Sequence, residues 1–468
     1  MATDTHANPE VRFEEIDLTD LGVFEQRCPH DWFRFLRENA PVWKHPANER
    51  SDNEPFWCVT SYEHIKQVHR SGTLYSHQTG PGRNGAGGIA LNDIQPEQGP
   101  GLQLAMTDPP GHTRYRKLVN RGFTPRVVHR LADAFRLRTT AILDRITPLG
   151  HCDFVTSVAA ELPLIAIAEI VGVPLEDREQ MFEWSNRAIG GSDDHDDAYA
   201  ALFEMGIYAH GLTERKRLEP ADDLWTKLTE AVVTMEDGTR VELTEAERDL
   251  FFILLIIAGN ETTRNSISKG MLAFFDNPDQ WQRWLAHPEL TDTMVDEVLR
   301  YSSPVNFFRR TATADAELGG QHIAAGEKVL LWYPSGNRDE AEFGPTADTF
   351  DIGRTPNHHM AFGAGGAHFC LGANLAKLEI KIIFEELAKR TPDIALSGEV
   401  KRLRTNFVDS TARIPVEFTP SPALLESTST NNGAAYGTNG RSPMPSAGSN
   451  GHRQLDDAAA ATCPVGVL

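Results

Sequence analysis

Residues Leu250-Phe-Phe-Ile-Leu-Leu-Ile-Ile-Ala-Gly259 are apolar on every side of a helical turn. A helix with no polar face must be sheathed by other parts of the chain, so it runs through an interior. A chain of 468 residues with 40% hydrophobic content is large enough to surround it. The same pattern continues into Asn260-Glu261-Thr262-Thr263-Arg264. Glycine, a carboxylate and a threonine inside a buried helix cost stability through backbone freedom and unpaired polar groups. Chains keep such a cost where the polar groups have work to do, and a local helix distortion near Gly259 is expected. The alternative is a threonine that bonds only its own helix backbone.

A second segment carries chemistry of its own. Phe362-Gly-Ala-Gly-Gly-Ala-His-Phe-Cys-Leu-Gly-Ala-Asn-Leu-Ala376 puts Cys370 at the end of a glycine-rich loop. An amphipathic helical pattern follows at Leu371, Leu375, Leu378 and Ile382. Glycines allow the backbone to lie close to a flat object. Amides at a helix start donate to a thiolate and hold its charge. A cysteine so placed, with His368 two residues earlier, suits an axial thiolate on haem iron. The alternative is a buried structural cysteine beside a tight turn.

Phe362-Gly363-x-x-Gly-x-His368-x-Cys370-x-Gly372 resembles the haem loop of the cytochromes P-450, the haem-thiolate monooxygenases. The spacing from Phe362 to Cys370 is one residue longer than the family's usual one. That longer form looks like the actinobacterial branch that hydroxylates cholesterol side chains and methyl-branched lipids. The resemblance covers roughly residues 15 to 420 and implies a mainly α fold with small β-sheets (α+β). It divides the chain into a loose segment 1–15, one catalytic domain 16–420 and a tail 421–468.

The resemblance also assigns roles. Cys370 is the iron ligand of haem b. Phe362, Gly363 and Gly372 belong to its cradle. Ala258 and Gly259 leave room for dioxygen, Thr262 holds it and a water, and Glu261 relays protons. In Asp108-Pro-Pro-Gly-His112-Thr-Arg-Tyr-Arg116 the histidine and arginine lie four apart on one helical face, where both can donate to haem propionates. Arg310 and His368 match further propionate donors, although each basic residue taken alone could be a solvated side chain. Val305, Phe307 and Val408 are expected in the substrate wall. Glu297-Val-Leu-Arg300 is expected to pair. In the resembled family a downstream residue completes an anchor under the haem, with Arg338 and Arg354 as candidates.

Haem-thiolate chemistry implies insertion of one atom of O2 into a C–H bond of a hydrophobic substrate, here a sterol side chain or branched lipid terminus. A terpenoid remains an alternative because of the Gly/Asn-rich stretch 79–101. A haem sensor or carrier without turnover is the alternative from another class. No glycine-rich dinucleotide loop follows a strand, so electrons from NAD(P)H are expected through a separate ferredoxin and its reductase.

The remaining features narrow the setting. A net charge of −21 argues against general nucleic-acid binding. Cys28, Cys58, Cys152, Cys370 and Cys463 are scattered without Cys-x-x-Cys pairs, which reads as reduced thiols. Cys28-Pro29 and Cys463-Pro464 lack a glycine platform and are set aside as iron ligands. No run of about twenty apolar residues suggests a membrane span. With no apolar signal segment at the N-terminus, the protein is expected to be cytoplasmic.

Along the chain, Phe56–Thr60 reads as a strand and Ser61 as the N-cap of a helix with His64 at its third position. Residues 71–105 read as a long loop, of a length that is usually functional or disordered, and the family resemblance implies that it covers the substrate pocket. Leu162–Val171 reads as a helix ended by Gly172-Val-Pro174. Residues 190–197 read as a solvated break between helices. Residues 306–335 have strand character with turns at Gly319-Gly320 and Ala325-Gly326. The Ser/Asn/Gly-rich composition after about 421 cannot bury enough apolar surface to order itself.

Overall fold

The apolar run at 250–259 lies inside a helix spanning Glu245–Asp276. A computed structural model describes residues 11–189, 195–234 and 238–424. Thr244 starts this central helix with a reciprocal cap. Its Oγ1 accepts from the Glu247 amide at 3.2 Å, and the Thr244 amide donates to the Glu247 carboxylate at 2.8 Å. The N-terminal end of the helix is therefore satisfied locally before any packing occurs.

Helices sheathe it as the sequence requires. Phe251, Phe252, Ile256, Ile267 and Phe274 are buried within the largest apolar cluster. That cluster also takes in Glu161–Val171, His195–Leu218, Thr291–Ser302 and Ala373–Arg390. Glu161–Val171 ends as expected, with Gly172 at φ 84°, a left-handed cap that glycine adopts without a Cβ clash. The helix stays α-helical through Gly259, which corrects the expected distortion. A Cβ on Gly259 would lie 2.7 Å from Ile167 Cδ1, so the notch is filled by a neighbouring helix and the backbone ladder stays intact. A π-turn is found instead at Val155–Ala159.

The second layer is a five-stranded sheet in the order Val42–His45, Phe56–Val59, Lys328–Trp332, Phe307–Ala312 and Tyr75–Ser76. Phe56–Val59 runs parallel to Lys328–Trp332, with Cys58 opposite Leu330, and the other pairings are antiparallel. Residues 306–335 resolve into four strands, with left-handed glycines at 319, 320 and 326 where turns were expected. Ser61 stands at the N-cap of Tyr62–Arg70 as expected, but its hydroxyl bonds His64 Nδ1 at 2.6 Å and caps no backbone amide.

Residues 71–105 contain only the short strand at 75–76 and single 3-10 turns. Two cations tie this loop to its surroundings: Arg83 pairs with Asp93 and Glu54, and Arg309 with Asp93, while fully buried Lys328 pairs with Asp52 and Glu54 beside them. Of the break expected at 190–197, residues 190–194 lie outside the described residues, and so does the tail from 425. Among the described residues no helix is long and apolar enough to cross a membrane.

Candidate active site

The central helix, the Cys370 loop and the sheet enclose one apolar cavity. Its walls carry Cys370, Phe362, Gly363, His368 and Gly372 on one side and Ala258, Gly259 and Thr262 on the other. His112, Arg116 and Arg310 close one end, and Val305 lies on the far wall. Segments more than two hundred residues apart in sequence are thereby brought to one space.

The cysteine loop is shaped by glycine where side chains cannot fit. Gly363, Gly365 and Gly366 have φ of 89°, 94° and 82°. A Cβ on Gly366 would lie 2.9 Å from the carbonyl oxygen of His69. The Cys370 amide donates to the Phe362 carbonyl at 3.0 Å, which closes the loop on itself. Cys370 is exposed, and what it faces is the cavity. Burial in apolar surroundings pushes its thiol up. Hydrogen bonds from the amides of Gly372 and Ala373 and the charge of Arg116 act in the opposite direction. Those two amides open the helix Ala373–Arg390, so the sulfur sits where a helix start favours an anion.

At the basic end, imidazoles gather. The rings of His77 and His368 stack at 3.4 Å, and those of His112 and His368 at 3.8 Å. Burial, then neighbouring positive charge, lowers His112 to about 4 and His368 to about 2, so both rings are neutral. Arg310 is 2% exposed and lowered by burial. Among the described residues neither Arg116 nor Arg310 has a carboxylate partner in an ion pair.

This donor set fits haem. His112 Nδ1 and His368 Nε2 are buried without a hydrogen-bond partner. Two arginines and several imidazoles converge on one end of an apolar slot whose face carries a sulfur cradled by amides. A flat macrocycle with two carboxylates and a metal that takes thiolate meets each of these features.

Three residues sit elsewhere than the sequence reading had them. Glu261 turns away from the cavity. Its Oε1 accepts from Asn265 Nδ2 and Ser410 Oγ, both at 2.7 Å, and its Oε2 lies 2.5 Å from Arg264. Phe307 packs into the core against Trp332 at 4.9 Å, because successive strand residues face opposite sides. Phe308 lines the cavity in its place. Val408 forms a bridge to Val305 and stands behind the wall. Thr262 does reach the cavity, and its Oγ1 donates to the Ala258 carbonyl at 2.6 Å.

Against the segment that leads to the cysteine loop, Glu297 and Arg300 are fully buried, paired at 2.7 Å and hydrogen-bonded to Asn337, Ala347, Thr349 and Asn357. Arg354 is the third partner, 3.2 Å from Glu297. Arg338 instead stacks its guanidinium 4.0 Å over Tyr301. His69, His77 and Tyr333 also line the cavity, with His69 Nε2 3.1 Å from Tyr333 Oη. The sequence reading assigned none of the three to the site: isolated histidines carry no motif, and Leu-Trp-Tyr333 entered only as part of the family resemblance.

Relatives agree with this architecture. The family model for cytochrome P450 matches residues 282–390. The steroid C26-monooxygenase of Rhodococcus jostii is 42% identical over 411 residues, which cover 86% of this chain and 85% of that protein. The chain belongs to the cytochrome P450 family. As a P450 it is a haem-dependent monooxygenase. The methyl-branched lipid omega-hydroxylase of Mycobacterium bovis is 38% identical across 88% of this chain and 96% of its own length. A Mycobacterium marinum cytochrome P450 solved in complex with pseudoionone superposes with a TM-score of 0.77 at 35% identity. It covers 87% of this chain and all of that one.

Proposed function

We propose that this P450 hydroxylates the hydrocarbon end of a sterol side chain or a methyl-branched lipid. The observation that carries the reading is the cavity lining, where Ile89, Leu104, Leu254, Leu255, Val305 and Phe308 form an apolar channel shared with Cys370 and Thr262. An aliphatic terminus enters such a channel at little desolvation cost, whereas a charged group would have to shed its water. The names of the Rhodococcus and Mycobacterium bovis relatives support the same class.

Cys370 is the proposed metal ligand, held by the Gly372 and Ala373 amides. His112, Arg116, Arg310 and His368 are proposed to bind the propionates, and Phe362, Gly363 and Gly372 to form the cradle. Bound haem supplies the oxidant that inserts one atom of O2 into a C–H bond, with the other leaving as water. Ala258 and Gly259 keep the helix face free of bulk beside Thr262. The Thr262 hydroxyl is proposed to orient a water for proton delivery, and Glu261 to pass protons inward from its position one residue earlier. Two electrons are proposed to come from NAD(P)H through a ferredoxin and its reductase, a cytoplasmic arrangement, and residues 16–420 are proposed as the catalytic unit.

The test is a panel of sterols, branched lipids and terpenoids scored by spin-state shift and by product. Terminal hydroxylation of a sterol or branched lipid supports the reading. Turnover confined to terpenoids favours the second reading, a terpenoid hydroxylase, towards which the pseudoionone complex of the Mycobacterium marinum relative points.

A further inference from the structure

The far wall of the cavity and the carboxylate of Glu261 are joined through one short segment, residues 407–411, which hydrogen-bonds to both. Val305, on the wall, bridges Val408. The Asn306 amide donates to the Phe407 carbonyl at 2.9 Å, and the Asp409 amide to the Pro304 carbonyl at 2.8 Å. Asp409 is itself fastened by Lys269 and Arg402. The next residue, Ser410, is 2% exposed and donates to Glu261 Oε1 at 2.7 Å. Asn265 donates to the same oxygen, donates to Ser410 Oγ at 3.1 Å, and receives the Thr411 amide at 3.0 Å.

We propose that Ser410 is a positioning residue for Glu261, fixing its carboxylate off the cavity while no proton is needed. The inference rests on the reading of Glu261 as a proton carrier. A carboxylate outside the cavity reaches Thr262 only by turning, and turning requires release from Arg264, Asn265 and the Ser410 hydroxyl, of which Ser410 alone comes from outside the central helix. A hydrogen bond to a charged group, made where water is excluded, is among the stronger ones a side chain forms. Because Ser410 rides on the segment bonded to residues 304–306, its place is tied to that of Pro304 and Val305, which line the cavity. Without that hydroxyl the carboxylate keeps Arg264 and Asn265 but loses one of its three ties, so it turns inward more readily whatever fills the cavity, and more electrons are spent on peroxide.

The experiment measures product formed per NAD(P)H consumed, with the solvent deuterium effect on turnover. The haem-loaded proteins compared are the wild type, Glu261→Gln, Ser410→Ala, Ser410→Thr and the double variant Glu261→Gln/Ser410→Ala. Ser410→Ala is expected to lower coupling by about tenfold, in keeping with loss of one hydrogen bond to a charged acceptor. Ser410→Thr retains the hydroxyl and is expected to stay within about twofold of wild type. In the Glu261→Gln background, Ser410→Ala is expected to add nothing, because the group it positions is gone.

A Ser410→Ala protein that couples like wild type, while Glu261→Gln does not, overturns the positioning role and leaves the Glu261 reading standing. Equal losses in both backgrounds also overturn it, since Ser410 would then act on the fold. Unchanged coupling and deuterium effect in Glu261→Gln overturn the proton-carrier reading and this inference together. Should Ser410→Ala fail to load haem, Ser410→Cys, close in volume and a weak donor, takes its place with the same expectations.

Discussion

At the scale of single residues, the sulfur of Cys370 and the hydroxyl of Thr262 face the same space from opposite walls. Replacing Cys370 by serine exchanges a soft thiolate donor for a hard, weakly acidic hydroxyl. The red-shifted absorption of the reduced carbon monoxide complex is expected to disappear. Thr262→Ala leaves the Ala258 carbonyl with its helical partner but removes the hydroxyl that lines the cavity beside Gly259. Electron consumption is expected to continue while product per electron pair falls by about tenfold, the scale of a hydrogen bond lost at a reacting centre. Glu297→Ala strands the guanidinium of Arg300 in an interior where both side chains are fully buried. About 3–5 kcal/mol of destabilisation is expected, measured as a fall in unfolding midpoint.

Between elements, the decisive contact is the notch at Gly259. Ile167 already occupies the position of a Cβ there, so Gly259→Val is expected to cost about 1–3 kcal/mol by overpacking. Adding Ile167→Ala should return part of that loss, a non-additivity that denaturant unfolding can read. Much of this layer was legible in the sequence. The run Leu250–Gly259 has only one way to be satisfied, as a sheathed helix. Gly172-Val-Pro174 stops a helix by backbone chemistry alone. Strand phase was another matter: nothing in Val305-Asn306-Phe307-Phe308 says which phenylalanine turns inward, because both are apolar and the sheet buries both faces. The orientation of Glu261 was equally hidden, since Ser410, which fixes it, lies 149 residues away in the chain. His69 and His77 join the site only through the folding of the glycine loop across them.

For the whole molecule, buried imidazoles set an acid limit. Burial, then the charge of Arg338, holds His30 well below its usual pKa, and burial also lowers His45. A depressed histidine binds its proton in the unfolded chain before it does in the folded one. Stability is therefore full above about pH 6.5 and is lost as pH falls below it. His30→Gln is expected to flatten that slope by up to about one proton, seen by following unfolding midpoints from neutral towards acidic pH.

The parallel pairing of Phe56–Val59 with Lys328–Trp332 sets a timetable for synthesis. An early strand whose partner lies some 270 residues downstream, Cys58 opposite Leu330, has no neighbour on that edge while the intervening helices leave the ribosome. Until the later strand emerges, its backbone donors and acceptors are open to any other extended chain. Slow translation through the middle of the message, or release of a fragment that stops short of residue 328, should therefore yield aggregates seeded by the first hundred residues.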